Sequence, residues 1–292
     1  MSERRQLINV AYRLLGSLAD AEDVVQETYA RWYGLTQAQR DAIDNPIAWM
    51  TTVASRVCLD LLGSARVRRE RYVGEWLPEP VPQPSEWSTT ATPADPADRI
   101  TLDESVNMAF LVVLESMTSA ERVAFILHDV FRYSFAEVAE IVGRSPAACR
   151  QLASSARRRV GGSPPPAGPA PSAGRNGAIV RDFKRAWEAR DINGLIAVLD
   201  PNARAVADGG GLVRARLEPT DGAEAVARGL LEVADTNPDL VMLERTVNGQ
   251  PGLVLQQGGV TGTVMAFEIA GDRIVRIWAI RNPEKLRPWT DL

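Results

Sequence analysis

The chain has 292 residues, of which 45% are hydrophobic, and this supplies apolar material for about two or three folded domains. The formal net charge of −4 excludes a general nucleic-acid coat, so any DNA contact must come from local clusters of positive charge. The N-terminus shows no signal-peptide pattern, and no apolar run approaches membrane-spanning length. We therefore expect a cytoplasmic protein without membrane contact.

Few side chains are available for metal or redox chemistry. Cys58 and Cys149 both lie on apolar helix faces, where buried thiols are expected rather than a disulfide or a metal site. The single histidine, His128, lies inside a predicted helix, which excludes a histidine-rich metal site. We expect no metal, no cofactor and no catalytic residue.

Three amphipathic helices are predicted before the first linker, over residues 1–16, 20–33 and 46–72. The second helix has an apolar stripe that begins at Ala21 and ends at Trp32. Its opposite face is acidic and carries Asp23, Gln26 and Glu27. That face is either a solvated surface or a docking face for a basic partner protein.

The third helix combines arginines with an aromatic end at Tyr72. Phosphate neutralisation beside a stacking platform is what single-stranded DNA requires, although a charged helix end has the same composition. The candidate DNA-binding residues here are Arg56, Arg66, Arg68, Arg69 and Arg71. Residues 74–97 then read as a proline-rich linker. Within it Trp76, Leu77 and Pro78 predict an anchor that docks on another domain.

A helix-turn-helix is predicted over residues 135–160, after helices over 98–117 and 119–130. Gly143 suits the left-handed end of the first helix, and Ser145 and Pro146 suit the start of the second. Five arginines and no acidic residue lie between residues 144 and 159. The outward face of the second helix can read base edges and phosphates with Arg150, Gln151, Ser154, Arg157 and Arg158. The alternative is an ordinary helical hairpin with a solvated basic face.

After a proline- and glycine-rich tether over residues 161–174, the pattern changes to helices followed by strands. Helices are predicted over 175–190, 192–199 and 222–234. Strands are predicted over 203–207, 213–217, 241–247, 253–257, 260–269 and 274–280. This α+β pattern predicts a curved, mostly antiparallel sheet wrapped on helices, with a pocket. Since no histidine follows His128, a general base there would have to be a carboxylate such as Asp208 or Glu268.

Several motifs in the helical region carry a family resemblance. They are AYRLLGS from Ala11, DAEDVVQE from Asp20, NPIAW from Asn45, and the helix-turn-helix. This region resembles the sigma-70 family of bacterial transcription initiation factors, in the short extracytoplasmic-function form. The remainder resembles a SnoaL-like, cone-shaped domain, through WLPEP from Trp76, DGGG from Asp208 and NPEKL from Asn282. Leu212 and Glu284 depart from the subgroup pattern, which often has lysine and aspartate there.

The resemblance implies a division of labour. The face with Asp23, Gln26 and Glu27 would bind the β′ clamp of core RNA polymerase. The β flap of the polymerase is a second expected contact. Residues 45–72 would bind the promoter element near −10 as single-stranded DNA, and the helix from Pro146 would bind the element near −35 as duplex. Contacts with the linker or first domain would regulate activity in cis, through Asp208, Gly209, Gly210, Gly211, Asn282, Pro283, Lys285 and Leu286.

We therefore predict two all-α domains followed by an α+β cone. The predicted boundaries are region 2 at 1–73, a linker at 74–97, region 4 at 98–160, a tether at 161–174 and the cone at 175–292. The predicted function is promoter-specific transcription initiation. Two alternatives remain: a cone that senses a small ligand or acts as an enzyme with accessory helices, and a DNA-binding regulator that works without polymerase.

Overall fold

The computed structural model describes residues 3–69, 72–82, 107–161 and 173–290. The chain forms two compact units. The helical unit comprises Met1–Arg71, Thr92–Thr101 and Phe110–Ser163, and the C-terminal unit comprises Tyr72–Ala91, Leu102–Ala109 and Pro164–Leu292. The described part of the predicted linker, residues 74–82, therefore belongs with the C-terminal unit, together with Tyr72 and Val73 from the predicted first domain. We call residues 72–82 the linker segment.

The helical unit is built from eight α-helices and one π-helical turn in the part of the chain that is described. They are α1 Glu3–Leu15, α2 Leu18–Gly34, α3 Gln37–Asp41, α4 Pro46–Arg69, α5 Met108–Glu115, α6 Ser119–Phe125, the π-helix Ile126–Val130, α7 Phe135–Val142 and α8 Pro146–Gly161. The predicted helix over 98–117 is seen only from Met108, because residues 98–106 lie outside the described residues. The predicted continuation of α4 to Tyr72 is wrong at its end, since Tyr72 is not helical.

Local capping chemistry fixes where the later helices begin and end. Thr118 and Ser134 each form a capping box with the glutamate three residues on. Gly143 ends α7 with φ of 69°, in the left-handed region that glycine adopts without strain. The Ser145 hydroxyl accepts from the Ala148 amide at 3.2 Å and starts α8. The predicted helix-turn-helix is confirmed.

The core of the helical unit joins its N-terminal helices to its C-terminal ones. Cys58 and Cys149 are buried free thiols, as predicted. Arg122 of α6 is buried, and its Nη1 donates to the carbonyl oxygen of Leu14 at 2.8 Å, at the end of α1. His128 Nδ1 lies 2.7 Å from the Tyr133 carbonyl oxygen, so the ring nitrogen has the partner expected for a structural histidine.

In the part of the chain that is described, the C-terminal unit packs three α-helices against one six-stranded sheet. Its elements are α9 Ala173–Glu188, α10 Ile192–Val198, β1 Leu199–Asp208, β2 Thr220–Asp221, α11 Ala223–Thr236, β3 Val241–Val247, β4 Gln250–Gln257, β5 Val260–Ala270 and β6 Arg273–Ile280. The strand order is β2-β1-β6-β5-β4-β3, and β1 with β6 is the parallel pair. The predicted α+β architecture is confirmed.

One predicted strand is wrong. Residues 213–217 form a loop, because the amides of Leu212 and Val213 turn back to the Gly209 carbonyl oxygen. Instead of the predicted strand, the two-residue β2 pairs with β1 at Arg204 and Ala205. The alternating pattern of Val213 to Leu217 therefore does not reflect burial, and the Leu217 side chain is exposed.

Both faces of the sheet are covered. Residues such as Leu253, Met265 and Ile277 join the helices in one apolar core. Side chains alternate across a strand, so Trp278 and Ile280 point to the opposite face, and they are buried as well. We infer that the linker and the C-terminal residues cover this second face, because Leu77, Val81, Leu286 and Trp289 are buried apolar residues of those two segments.

Candidate functional site

The second helix of the helix-turn-helix presents a continuous polar and basic face. Cys149, Ala153 and Ala156 are fully buried against the rest of the unit. The five residues that the sequence assigned to the outward face are all exposed: Arg150, Gln151, Ser154, Arg157 and Arg158. Their periodicity follows from the helical repeat, which separates the small buried residues from the long polar ones.

Two arginines of this face already have partners within the helical unit. The Arg150 guanidinium lies 5.2 Å from the centroid of the Phe135 ring. Arg157 binds Asp129 through two hydrogen bonds, of 2.6 and 3.1 Å. Since both members of this pair are partly exposed, the pair is worth about 1 kcal/mol or less, and Arg157 can exchange Asp129 for another anion at low cost.

The acidic face of α2 is also exposed to solvent. Asp23, Gln26 and Glu27 are exposed, whereas the opposite stripe of the helix is buried. Glu27 accepts from Arg31 at 2.8 Å, one helical turn later. This places a polar, mainly negative surface on the side of α2 that faces away from the core.

Of the predicted DNA-binding arginines in this part of the chain, Arg56 is the one whose contacts are described. Arg56 is exposed, and its Nη2 donates to the Glu140 carbonyl oxygen of α7 at 2.9 Å. The others are Arg66, Arg68 and Arg69, which lie in the last turns of α4, and Arg71, which lies outside the described residues. The described contact of Arg56 is therefore with the helix-turn-helix.

The clearest cluster of polar contacts surrounds Asp208, at the end of β1. Its side chain is completely buried, and four donors bind its carboxylate. They are the Tyr72 hydroxyl at 2.6 Å, the Leu77 amide at 2.9 Å, the Gly210 amide at 3.0 Å and Lys285 Nζ at 2.7 Å. Two of the four donors come from the linker. The carboxylate is thus fully satisfied only when the linker is in place.

Lys285 connects the other end of the chain to the same cluster. Its Nζ donates to the Leu77 carbonyl oxygen at 2.5 Å as well as to Asp208. It also lies 4.1 Å from the centroid of the Trp76 ring and 5.1 Å from that of Tyr72. Two aromatic faces and two oxygen acceptors therefore hold this buried ammonium group, an arrangement that desolvated cations need.

Asn282 and Gly210 close the cluster. Asn282 Nδ2 donates to the Tyr72 hydroxyl at 2.9 Å. Gly210 has φ of 61°, and a Cβ at this position would overlap the Asn282 amide. We call Tyr72, Leu77, Asp208, Asn282 and Lys285 the linker clamp.

The remaining predicted regulatory residues frame the linker clamp. Pro78 and Leu286 are buried, Pro283 is exposed, and Gly209 and Gly211 lie in the turn after β1. The two residues that depart from the subgroup pattern, Leu212 and Glu284, are exposed.

Sequence reasoning assigned no role in holding the linker to Tyr72, Trp289 or Asn248. Burial, reinforced by hydrogen bonding to Asp208, raises the pKa of Tyr72 far above its ordinary value, so its hydroxyl remains a donor. Trp289 Nε1 donates to the Pro80 carbonyl oxygen at 2.8 Å. Val81 exchanges two backbone-directed hydrogen bonds with Asn248, of 2.8 and 3.1 Å. Only the general preference of buried tryptophan for a hydrogen-bond partner pointed towards Trp289.

Neither a metal centre nor a membrane span emerges from the described part of the chain. No group of three or more histidine, cysteine, aspartate or glutamate side chains within it could hold a metal ion. None of its helices combines the length and apolar character that a bilayer crossing requires.

Comparisons with known proteins agree across the whole chain. The family profile described as Sigma-70 region 2 matches residues 1–68, and that described as Sigma-70, region 4 matches residues 107–160. The ECF RNA polymerase sigma factor SigJ of Mycobacterium tuberculosis is 37% identical, over 97% of this chain and 90% of the relative. The probable ECF RNA polymerase sigma factor SigI of the same species is 33% identical, over 98% and 93%. The crystal structure of SigJ superimposes with a TM-score of 0.77 at 33% identity, over 98% of this chain and 96% of that chain.

Proposed function

Because the chain belongs to the extracytoplasmic-function sigma factors, in the subgroup with a C-terminal SnoaL-like extension, we propose that its helical faces hold polymerase and promoter DNA while the cone restrains the linker. One observation carries the proposal: the polar face of α8 is wholly exposed, whereas its small apolar face is buried. A sigma factor works on polymerase and DNA, so we place its action in the cytoplasm. We propose no catalytic role for the cone.

The acidic face of α2 is the proposed contact with the β′ clamp of core polymerase. We expect the double variant Asp23→Asn, Glu27→Gln to weaken binding to core polymerase by about 2 kcal/mol, roughly thirtyfold in Kd, because it removes two exposed charges from the contact. Binding is measured by titrating labelled protein with purified core polymerase.

The matched control for this experiment makes the same charge change on the cone. Asp182→Asn, Glu188→Gln replaces two exposed acids of α9 and is expected to leave the Kd unchanged. Equal weakening by both double variants would show a net-charge effect and contradict the assignment of α2. A wild-type chain that fails to bind core polymerase would favour the alternative of a DNA-binding regulator that works alone.

The exposed face of α8 is the proposed reader of the upstream promoter element. We expect Arg150→Ala to cost about 1–3 kcal/mol at the promoter that the protein selects, because an arginine fork binds a guanine edge with two hydrogen bonds. The measurement is a binding titration with promoter duplex and with scrambled duplex. Equal loss on both duplexes would contradict base reading. Arg181→Ala, an exposed arginine on the cone, is the control.

The helical unit is closed, in the sense that its N-terminal helices α1 and α4 are in direct contact with α6 and α7. Promoter elements near −10 and −35 lie about 25 base pairs apart, or about 85 Å along the duplex. A compact body of about 120 residues has a radius of gyration of only about 14 Å. Contacts such as Arg122 with Leu14 and Arg56 with Glu140 must therefore break before both elements are bound together. We propose that the closed unit is the resting state and that it opens on polymerase.

The linker clamp is the proposed regulatory site of the cone. Within it, Asp208 and Lys285 bind the linker segment 72–82 through the main chain of Leu77 and the side chain of Tyr72, in the way that a peptide-binding groove holds an extended peptide. This segment follows α4 directly, and the chain then leads to the helix-turn-helix. Fixing it therefore restricts the separation that the two promoter-binding helices need. Regulation in cis by this restraint is the role we assign to the C-terminal unit.

A further inference from the structure

The helix-packed face of the cone encloses a cavity that the linker clamp does not use. Its volume is about 210 Å³, below the roughly 300–1,000 Å³ of pockets for drug-sized ligands. Its walls are mainly apolar, with Trp187, Val226 and Leu230 from the helices and Leu255, Met265 and Ile277 from the strands. A cavity of this size and lining suits a small, largely hydrocarbon ligand.

One cation stands out in the lining. Arg281 follows β6, lines the cavity and is half-buried. Its Nη1 donates to the Arg214 carbonyl oxygen, and within the described residues no carboxylate forms an ion pair with it. Arg216, which also lines the cavity, differs because Glu232 binds it at 2.8 Å and both are exposed. The acidic residue in the lining, Glu218, is exposed on the loop between β1 and β2.

Burial makes an anionic partner for Arg281 favourable. Desolvation lowers the pKa of its guanidinium, which means that water solvates the charge less well than it would on the surface. A guanidinium offers five N–H donors in a planar fork that matches the two oxygens of a carboxylate.

We propose that this cavity binds a small apolar monocarboxylate, with the carboxylate on Arg281 and the hydrocarbon part against the strands and α11. The ligand class follows from the volume of about 210 Å³, the apolar walls and the single half-buried cation without an acidic partner. Neither a cationic nor an uncharged ligand would satisfy the guanidinium.

The backbone connects this cavity to the linker clamp. The amides of Arg281 and Asn282 both donate to the Asp208 carbonyl oxygen, at 2.7 and 2.9 Å. Arg281 turns to the cavity, and its neighbour Asn282 binds Tyr72 of the linker. A ligand that fixes Arg281 therefore also restricts the motion of its neighbour Asn282, which belongs to the linker clamp. This second step rests on the proposed regulatory function, whereas ligand binding itself does not.

The test uses the full-length chain and octanoate, with 1-octanol and octylamine as probes of equal chain length. We expect octanoate to bind with one-to-one stoichiometry by calorimetry and to raise the Tm, and 1-octanol to bind about 10- to 100-fold more weakly because it lacks the charged hydrogen bonds. Octylamine is expected to give no measurable binding. Octanoate is also expected to slow proteolysis of segment 72–82.

Two variants and one control locate the site. Arg281→Met is expected to reduce octanoate binding to the level of 1-octanol. Gly262→Phe is expected to weaken the binding of both ligands by narrowing the cavity, because Gly262 lines it and a Cβ at this position would meet no atom within 4 Å. Arg228→Met removes an exposed arginine paired with Glu224 and is expected to change nothing.

The outcomes separate this proposal from the proposed function. Equal affinity of the wild-type chain for octanoate and 1-octanol, or an octanoate affinity that is unchanged in Arg281→Met or in Gly262→Phe, would overturn the monocarboxylate site. Either result leaves the polymerase and promoter titrations untouched. If octanoate binds as expected while proteolysis of segment 72–82 is unchanged, the coupling to the clamp is wrong and the binding site stands.

Discussion

Asp208→Ala is expected to lower the free energy of unfolding of the C-terminal unit by about 3–5 kcal/mol, because it leaves the buried Lys285 ammonium without its carboxylate. It also removes the acceptor of two linker donors, the Tyr72 hydroxyl and the Leu77 amide. We therefore expect segment 72–82 to become sensitive to proteases. Chemical denaturation followed by tryptophan fluorescence measures the first effect, and limited proteolysis with mass spectrometry measures the second.

The control for Asp208→Ala is an exposed pair in the same unit. Glu232→Gln breaks the exposed pair with Arg216 and is expected to cost about 1 kcal/mol or less, with no change in proteolysis. If Asp208→Ala lowers the free energy of unfolding by no more than Glu232→Gln does, the linker clamp makes no special contribution to stability. Run-off transcription with core polymerase should change in Asp208→Ala and not in Glu232→Gln if the clamp regulates activity.

Arg122→Met is expected to loosen the closed arrangement of the helical unit and to cost about 3 kcal/mol of stability. Burial lowers the pKa of Arg122 to about 10, and its Nη1 binds both the Leu14 carbonyl oxygen and the Glu115 carboxylate, the latter at 2.7 Å. Methionine fills similar space but leaves both oxygens without this donor. Small-angle scattering of the full-length chain should show a larger radius of gyration.

The comparison for Arg122→Met is an arginine of the same unit that lies on the surface. Arg31→Met removes an ion pair of α2 whose two members are about half exposed, and it is expected to cost about 0.3–0.5 kcal/mol. An unchanged scattering profile in Arg122→Met would mean that Arg122 stabilises its own helices only. The closed state would then depend on apolar packing alone.

Elements that depend on neighbouring residues were predictable from the sequence. The turn of the helix-turn-helix follows from Gly143 and Ser145, each of which acts on backbone atoms within four residues. The exposed face of α8 follows from the helical repeat. By contrast, the incorrect strand over 213–217 shows that alternation without a partner strand does not make a strand, because the turn at Gly209 redirects the chain.

The linker clamp could be predicted only in part. The subgroup resemblance pointed to four of its five residues, Leu77, Asp208, Asn282 and Lys285, but not to Tyr72 or to the contacts that join them. The bond between Tyr72 and Asn282 spans 210 residues, and that between Trp289 and Pro80 spans 209. Pairings at this distance form only when the tertiary fold brings the linker segment and the C-terminal residues together, and no local pattern encodes them.

The distance between the two halves of the linker clamp has a consequence for protein synthesis. Leu77 is added to the growing chain 208 residues before Lys285. At roughly 5–20 residues per second, that interval is about 10–40 s. During this time the helical region can fold on the nascent polypeptide while its restraint does not yet exist, and a message truncated before the codon for Asn282 would yield a protein that lacks the restraint permanently.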